Sequence, residues 1–300
     1  MLTVCFLLLF LLCSTKPLAS VYLVHDTEES SARALSFQLS RLLTVDSDVI
    51  PVRRAVFLTR SAEITEKDVI VTVGVNSFRG VCRVGSKGVV IALFVGKEEY
   101  DKIHLNCALS ASAVFSGAPL ETRLKLLQGI WLDRKPLAIV HSDTLLIDQQ
   151  AMMEKGAEYS FEFRFFETAT DRLSVLKSIN FVLEDSALIF SLVDTELYQK
   201  GVAQDVLRLL FHKRQVMIGP SYAFVRAGSM FAVYSDTAAK LEALAEKIST
   251  WQNKEKLLAP SYPDKLKVSF NPYLIKSHSV VLPSASYLKE HYGLCSEEEC

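Results

Sequence analysis

Residues 187–235 read ALIFSLVDTELYQKGVAQDVLRLLFHKRQVMIGPSYAFVRAGSMFAVYS, and the alternation of apolar runs with turn residues in them decides the fold. The run over 187–193 is short and nearly continuous, as expected for a strand covered on both faces of a parallel sheet. Val202, Val206, Leu209 and Leu210 follow at helical spacing. His212, Lys213 and Arg214 close that helix, where cations suit the negative end of its dipole. A second buried strand over 215–219 stops at Pro220, so the unit is strand, crossover helix, parallel strand. A loop and a last strand follow, up to Ser235. Ligands of such sheets sit beyond the carboxyl ends of the strands, and the loops at Asp194 and at Ser221 and Tyr222 lie on that edge. Tyr222 is the aromatic residue there that suits stacking on an apolar ligand body, with core packing as its other reading.

The same alternation runs through the rest of the chain. Strands are predicted over 21–25, 50–59, 69–74, 89–95 and 112–115, with a helix after Thr27 that presents Leu35, Leu39 and Leu42 on one face. Ser116-Gly117-Ala118-Pro119 then reads as a crossing between lobes: Gly117 supplies unusual dihedrals and Pro119 a stiff turn, the makings of a hinge. Beyond it come a helix over 120–132, a strand over 137–141, a helix over 145–155 stopped by Gly156, a strand over 159–166 and a helix over 171–179. A helix over 238–251, a linker over 259–263, a strand over 267–270 and a helix over 284–292 complete the pattern. The fold class expected is α/β, with two doubly wound Rossmann-like lobes joined by a hinge.

Several stretches carry a resemblance. SLVDTELY, the helix ending LLFHKR and QVMIGPSYAFVRAGSMFAVYSD, together with VIVTVGVNSF, APLETRLKLLQGI, LAIVHSD and KVSFNPYLIKSHSVVLP, are similar to the uncharacterised ABC-transport substrate-binding family, which includes tryptophan- and tyrosine-type binding proteins. The resemblance covers the chain from about Val69 to its end. It implies the type I fold of periplasmic binding proteins, with residues 21–117 plus 236–262 in lobe one and 118–235 plus 263–300 in lobe two, the helix over 238–251 returning to lobe one. Read from the residues alone, Asn76 and Ser77 are caps of the helix that follows, at a place where free N–H groups also suit an anion. The resemblance makes theirs the loop that meets the ligand. Asn76 and Ser77 would then hold a carboxylate, Ser116 would sit at the hinge, and Asp194 with Tyr222 would take the amine and the body of an amino acid. One segment departs from the family: where it follows the strand over 89–95 with a small-residue and Asp-Pro turn, this chain has Gly96-Lys97-Glu98-Glu99-Tyr100.

Composition narrows the function. Hydrophobic residues make up 50% and charged residues 22% of the 300, enough for a large core, and a net charge of −1 with no basic run argues against nucleic acid as a partner. The chain has no Walker loop, no GxGxxG after a strand, no HExxH and no GxSxG elbow, so neither an enzyme nor a cofactor is expected. The six histidines are scattered without ligand spacing, and no metal site is expected. Asp26, Asp143 and Asp194 all follow strands, either as an acidic cluster in the crevice or as caps of the next helix. Residues 1–20 pair an apolar stretch over 4–13 with small and polar residues ending at Ala19 and Ser20, which reads as a signal peptide; the lack of a Lys or Arg before Lys16 leaves an uncleaved anchor as the alternative. Six cysteines include Cys5 and Cys13 in that segment. Cys295 and Cys300 are a possible disulfide, and Cys82 and Cys107 are either a second one or free core thiols.

The function these readings support is an exported, monomeric solute-binding protein of an ABC importer that captures a small molecule between closing lobes and hands it to a membrane permease. An extracytoplasmic ligand-sensing module for a membrane signalling partner is the alternative.

Overall fold

The structure is a computed structural model that describes residues 19–43, 48–133 and 135–296. The expected signal segment and Cys300 lie outside the described residues, apart from Ala19 and Ser20. The first sheet and its helices are built in chain order by β1 (Val21–His25), α1 (Glu29–Ser40), β2 (Val49–Arg53), α2 (Arg54–Thr59), β3 (Val69–Val73), α3 (Val75–Arg83), β4 (Val89–Val95), α4 (Lys97–His104) and β5 (Ala111–Phe115). Then follow α5 (Leu120–Ile130), β6 (Leu137–His141), α6 (Gln149–Glu158), β7 (Phe163–Glu167), α7 (Arg172–Val182), β8 (Leu188–Phe190), α8 (Val202–Lys213), β9 (Met217–Ile218), α9 (Tyr222–Ala227), β10 (Phe231–Tyr234) and α10 (Thr237–Lys254). The chain ends in β11 (Leu266–Phe270), α11 (Pro272–Ser277), α12 (Ala285–Tyr287), a π turn over Leu288–Tyr292 and β12 (Leu294–Ser296).

One sheet has the order β2-β1-β3-β4-β5 and the other β12-β11-β10-β9-β8-β6-β7. All neighbours run parallel except β10 with β11. This is the expected α/β architecture of two doubly wound lobes, each burying near-continuous apolar strands between helices. Val89–Val95 shows why: every residue but Phe94 is buried. In the second lobe the strands pack on Leu124, Leu127 and Trp131 of the helix predicted over 120–132. Helix α10 lies on the first sheet, where Leu241, Leu244 and Ile248 join Leu23, Val71 and Ile91 in one core. Ser261 then bridges Val114 in parallel, covering the outer edge of β5.

Several local expectations are corrected. The segment 50–59 is not a strand or strand pair: β2 ends at Arg53, and α2 follows, anchored by Phe57 and by the 2.7 Å pair of Arg54 with Asp26. Pro51 is accommodated because β2 is an edge strand. The helix after Thr27 is α1, with Glu28 in its N-cap position, and Leu42, expected on its inner face, lies past the helix end and is exposed. The helix expected over 145–155 is α6, four residues later, because Asp148 caps it by accepting from the Ala151 N–H at 3.0 Å. Gly156 lies inside α6 rather than ending it. The loop at Tyr222 is the helix α9. The strand read over 187–193 shortens to β8, since the Ser191 carbonyl is taken by the Arg123 side chain at 2.7 Å. Cys82 and Cys107, left open above, form a disulfide. Cys295 is also disulfide-bonded.

Candidate functional site

The carboxyl ends of the strands of both sheets face one crevice, and the first turn of α4 enters it. Its residues divide by helical spacing. Lys97, Glu98, Asp101 and His104 face a cavity of about 700 Å³ between the lobes. Tyr100 and Ile103 point back into the first core, where the Tyr100 ring stacks on Phe78 at 5.2 Å and its hydroxyl donates to the Ala111 carbonyl at 3.0 Å. The opposite wall comes from α5, from α6 and the segment before it, and from the chain after β8, through Leu120, Arg123, Leu146, Met152, Leu192 and Val193. Tyr262 closes one end, its ring edge-on to Phe115 at 5.1 Å.

Arg123 is the centre of that wall. It is 5% exposed; one terminal nitrogen donates to the carbonyls of Ser191 at 2.7 Å and Gly219 at 3.4 Å, and the guanidinium lies 4.1 Å from the centre of the Phe190 ring. Its Nε has no partner. Burial pulls its pKa down to about 10, against the attraction of Glu98 and two tyrosines. Across the cavity, burial raises the Glu98 carboxyl above the usual carboxylate range, against its own backbone N–H, Lys97 and Arg123. The two charges sense each other through space and make no contact pair. At the rim, Lys97 is neutralised by Asp101 at 2.5 Å.

Beside the cavity the lobes touch. The Leu146 N–H donates to the Glu98 carbonyl at 3.0 Å, the Thr195 N–H donates to the Glu99 carboxylate at 2.7 Å, and Arg79 pairs with Glu196 at 3.4 Å.

Of the residues singled out in the sequence, Ser116, Gly117 and Pro119 line the cavity. The Ser116 N–H donates to the Val95 carbonyl at 2.9 Å, Gly117 has φ +79°, and the Pro119 carbonyl accepts from the Arg123 N–H as α5 begins. The other four stand outside the lining. Gly74, at φ +81°, is the N-cap of α3, so Asn76 and Ser77 are inside the helix rather than capping it. Asn76 is exposed and accepts from Arg79 at 3.3 Å, while Ser77 is fully buried. Asp194 is 3% exposed, and its oxygens accept from the Ser142 N–H at 2.8 Å, the Ser142 hydroxyl at 3.0 Å and the Leu197 N–H at 2.9 Å. Tyr222 stacks on Tyr234 at 5.7 Å and is 37% exposed. Asp26, Asp143 and Asp194 form no common cluster: Asp26 is paired with Arg54, Asp143 is exposed, and Asp194 is sealed in lobe two. Among the described residues no group of His, Cys, Asp and Glu has the arrangement of a metal site.

Sequence reasoning missed Arg123 and Glu98. Arg123 left a signal, because it interrupts the apolar face set by Leu120, Leu124 and Leu127, where a cation has to find a partner or a ligand.

No family model and no curated protein matches the chain. Solved structures do. The domain of an ABC protein from Streptococcus pneumonia in complex with L-Trp is similar over 93% of this chain and 99% of its own, with a TM-score of 0.66 and 12% identity. The ligand-free, open structure of a substrate-binding protein with adhesive properties from Clostridium difficile gives a TM-score of 0.63 over 93% and 99%, at 11% identity. A periplasmic ribose ABC transporter structure from Conexibacter woesei gives 0.54 over 87% and 95%, at 13% identity. The parallel sheets, the crevice between their strand ends and these likenesses agree on one architecture, and the chain has the two-lobed type I fold of periplasmic binding proteins.

Proposed function

We propose that this chain is an exported solute-binding protein of an ABC importer, which captures a small carboxylate-bearing solute, an amino acid in the first instance, between its lobes and presents the closed form to a membrane permease. The observation that carries this reading is the pair of opposite charges that face each other across the interlobe cavity without forming a contact pair: buried Arg123, with its free Nε, on one wall and half-buried Glu98 on the other. Buried charges are costly until paired. A solute with both a carboxylate and an ammonium compensates both at once, while Leu146, Met152 and Leu192 offer an apolar wall to its body. In this reading the carboxylate and amine roles pass from Asn76, Ser77 and Asp194 to Arg123 and Glu98, Tyr222 is a surface aromatic of lobe two, and Ser116, Gly117 and Pro119 remain the hinge. The Cys82–Cys107 disulfide supports an oxidising compartment, and hence a leader in the first twenty residues.

Thermal unfolding of the chain with each amino acid and common monocarboxylate in turn tests it. A solute at roughly a hundredfold over its Kd adds about 2.7 kcal/mol. One zwitterionic class is expected to give saturable shifts that Arg123→Met loses; no shift across the panel removes the reading.

A further inference from the structure

The first turn of α4 divides the crevice. On one side of it lies the cavity; on the other, protein meets protein. Gly96 stands so close to the facing lobe that a Cβ there would lie 2.8 Å from the Val193 Cβ and 2.9 Å from its carbonyl oxygen. Glu99 sits beside this contact, 1% exposed. Its Oε2 accepts from the Gly96 N–H at 2.8 Å, and its Oε1 accepts from the Thr195 N–H at 2.7 Å on the other lobe. Among the described residues no side-chain cation pairs with it. A carboxylate held by backbone N–H groups, sealed from water and bridging two lobes is bound as an anionic ligand would be.

We propose that Glu99 is a built-in surrogate ligand, a carboxylate carried on lobe one that lodges against the Thr195 amide and holds the lobes closed with no solute bound. A two-lobed binding protein closes only as far as contacts spanning both lobes stabilise closure. Here the chain supplies such a contact itself, tethered and therefore present at high effective concentration. The resting form is shut, and opening requires the Glu99 carboxylate to leave Thr195 for water. The inference holds whether or not the cavity takes a solute, and its test uses none.

The test compares the parent chain with Glu99→Ala and Glu99→Gln, stripped of solute, by small-angle scattering and by hydrogen exchange at the Thr195 amide. The parent is expected to be compact. E99A is expected to have a larger radius of gyration and about tenfold or faster exchange at Thr195, as suits the loss of a charge-assisted bond. Added formate is expected to return E99A to the parent values and to leave the parent unchanged. E99Q, which keeps the volume and one acceptor oxygen, is expected to fall between them, and it carries the comparison if E99A does not fold. Gly96→Ala provides the open reference: its backbone, at φ −70°, suits any residue, so the added methyl acts only against Val193. An open parent, or E99A and E99Q with the parent radius and parent exchange at Thr195, overturns the proposal.

Discussion

At the scale of single residues, the decisive matter is which buried carboxylate is already satisfied. Asp194 accepts from two backbone N–H groups and a hydroxyl, tying the end of β6 to the chain after β8. Asp194→Ala leaves these donors buried and unpaired, so we expect a loss of about 3 kcal/mol in urea unfolding. Asp194→Asn, which keeps one acceptor oxygen, is expected to lose less. A cost under about 1 kcal/mol for Asp194→Ala sinks the assignment of a structural role. The sequence places Asp194 correctly at a strand end but is silent on what faces it, because Ser142 comes from a strand fifty-two residues earlier. Arg123 is the converse case. Its position on an apolar helix face is visible, yet its donors go to carbonyls 68 and 96 residues away, which no local pattern encodes.

At the scale of elements, the disulfide joins the last turn of α3 to the residues after α4 and so fixes the helix that enters the crevice. It closes a loop of sequence separation 25, for which chain entropy gives about 3 kcal/mol. Cys82→Ala with Cys107→Ala is expected to lower stability by roughly that amount, and an unchanged unfolding midpoint overturns it. The pairing was open in the sequence because β4 intervenes; only parallel packing of α3 and α4 on one sheet face brings the two Cα atoms to 4.5 Å. Buried strands were legible from their apolar runs: Val21–His25, Val89–Val95 and Leu137–His141 occur where those runs put them. The six-residue helices α2 and α9 were not, since each buries a single side chain, Phe57 and Val225, and one apolar residue has no period. Gly156 misled for another reason. A Cβ there would meet the Phe161 carbonyl oxygen and the Phe163 ring at 2.9 Å, so the glycine serves close approach of α6 to β7 rather than a helix stop.

At the scale of the whole molecule, charge burial makes stability a function of pH. Burial raises the carboxyls of Glu98, Glu99 and Asp194 above the usual range, outweighing the hydrogen bonds that favour their charged forms. Between the ordinary carboxylate range near about 4 and those raised values, the folded chain keeps protons that the unfolded chain has released, so stability falls as pH rises through that window. Glu63, Asp171 and Asp236 are shifted down by hydrogen bonds, from Arg60, Ser174 and Ala239 in turn, and their contribution is lost as pH falls through their lowered values. The maximum therefore lies on the mildly acidic side. Lys240 acts in a separate window. Burial pulls it down to about 8, against the pull of Asp236, and its ammonium donates to the Ser235 carbonyl 5.8 Å from the Phe94 ring centre. Above pH 8 the folded chain has released a proton that the unfolded chain keeps up to about 10, and stability rises with pH there. Urea unfolding from about pH 4 to pH 10 is expected to show a decline from mildly acidic to neutral pH, then a rise that Lys240→Met reduces, the remainder coming from Lys247, which burial also lowers. A profile flat through the acidic window overturns the reading that burial raises Glu98, Glu99 and Asp194 together.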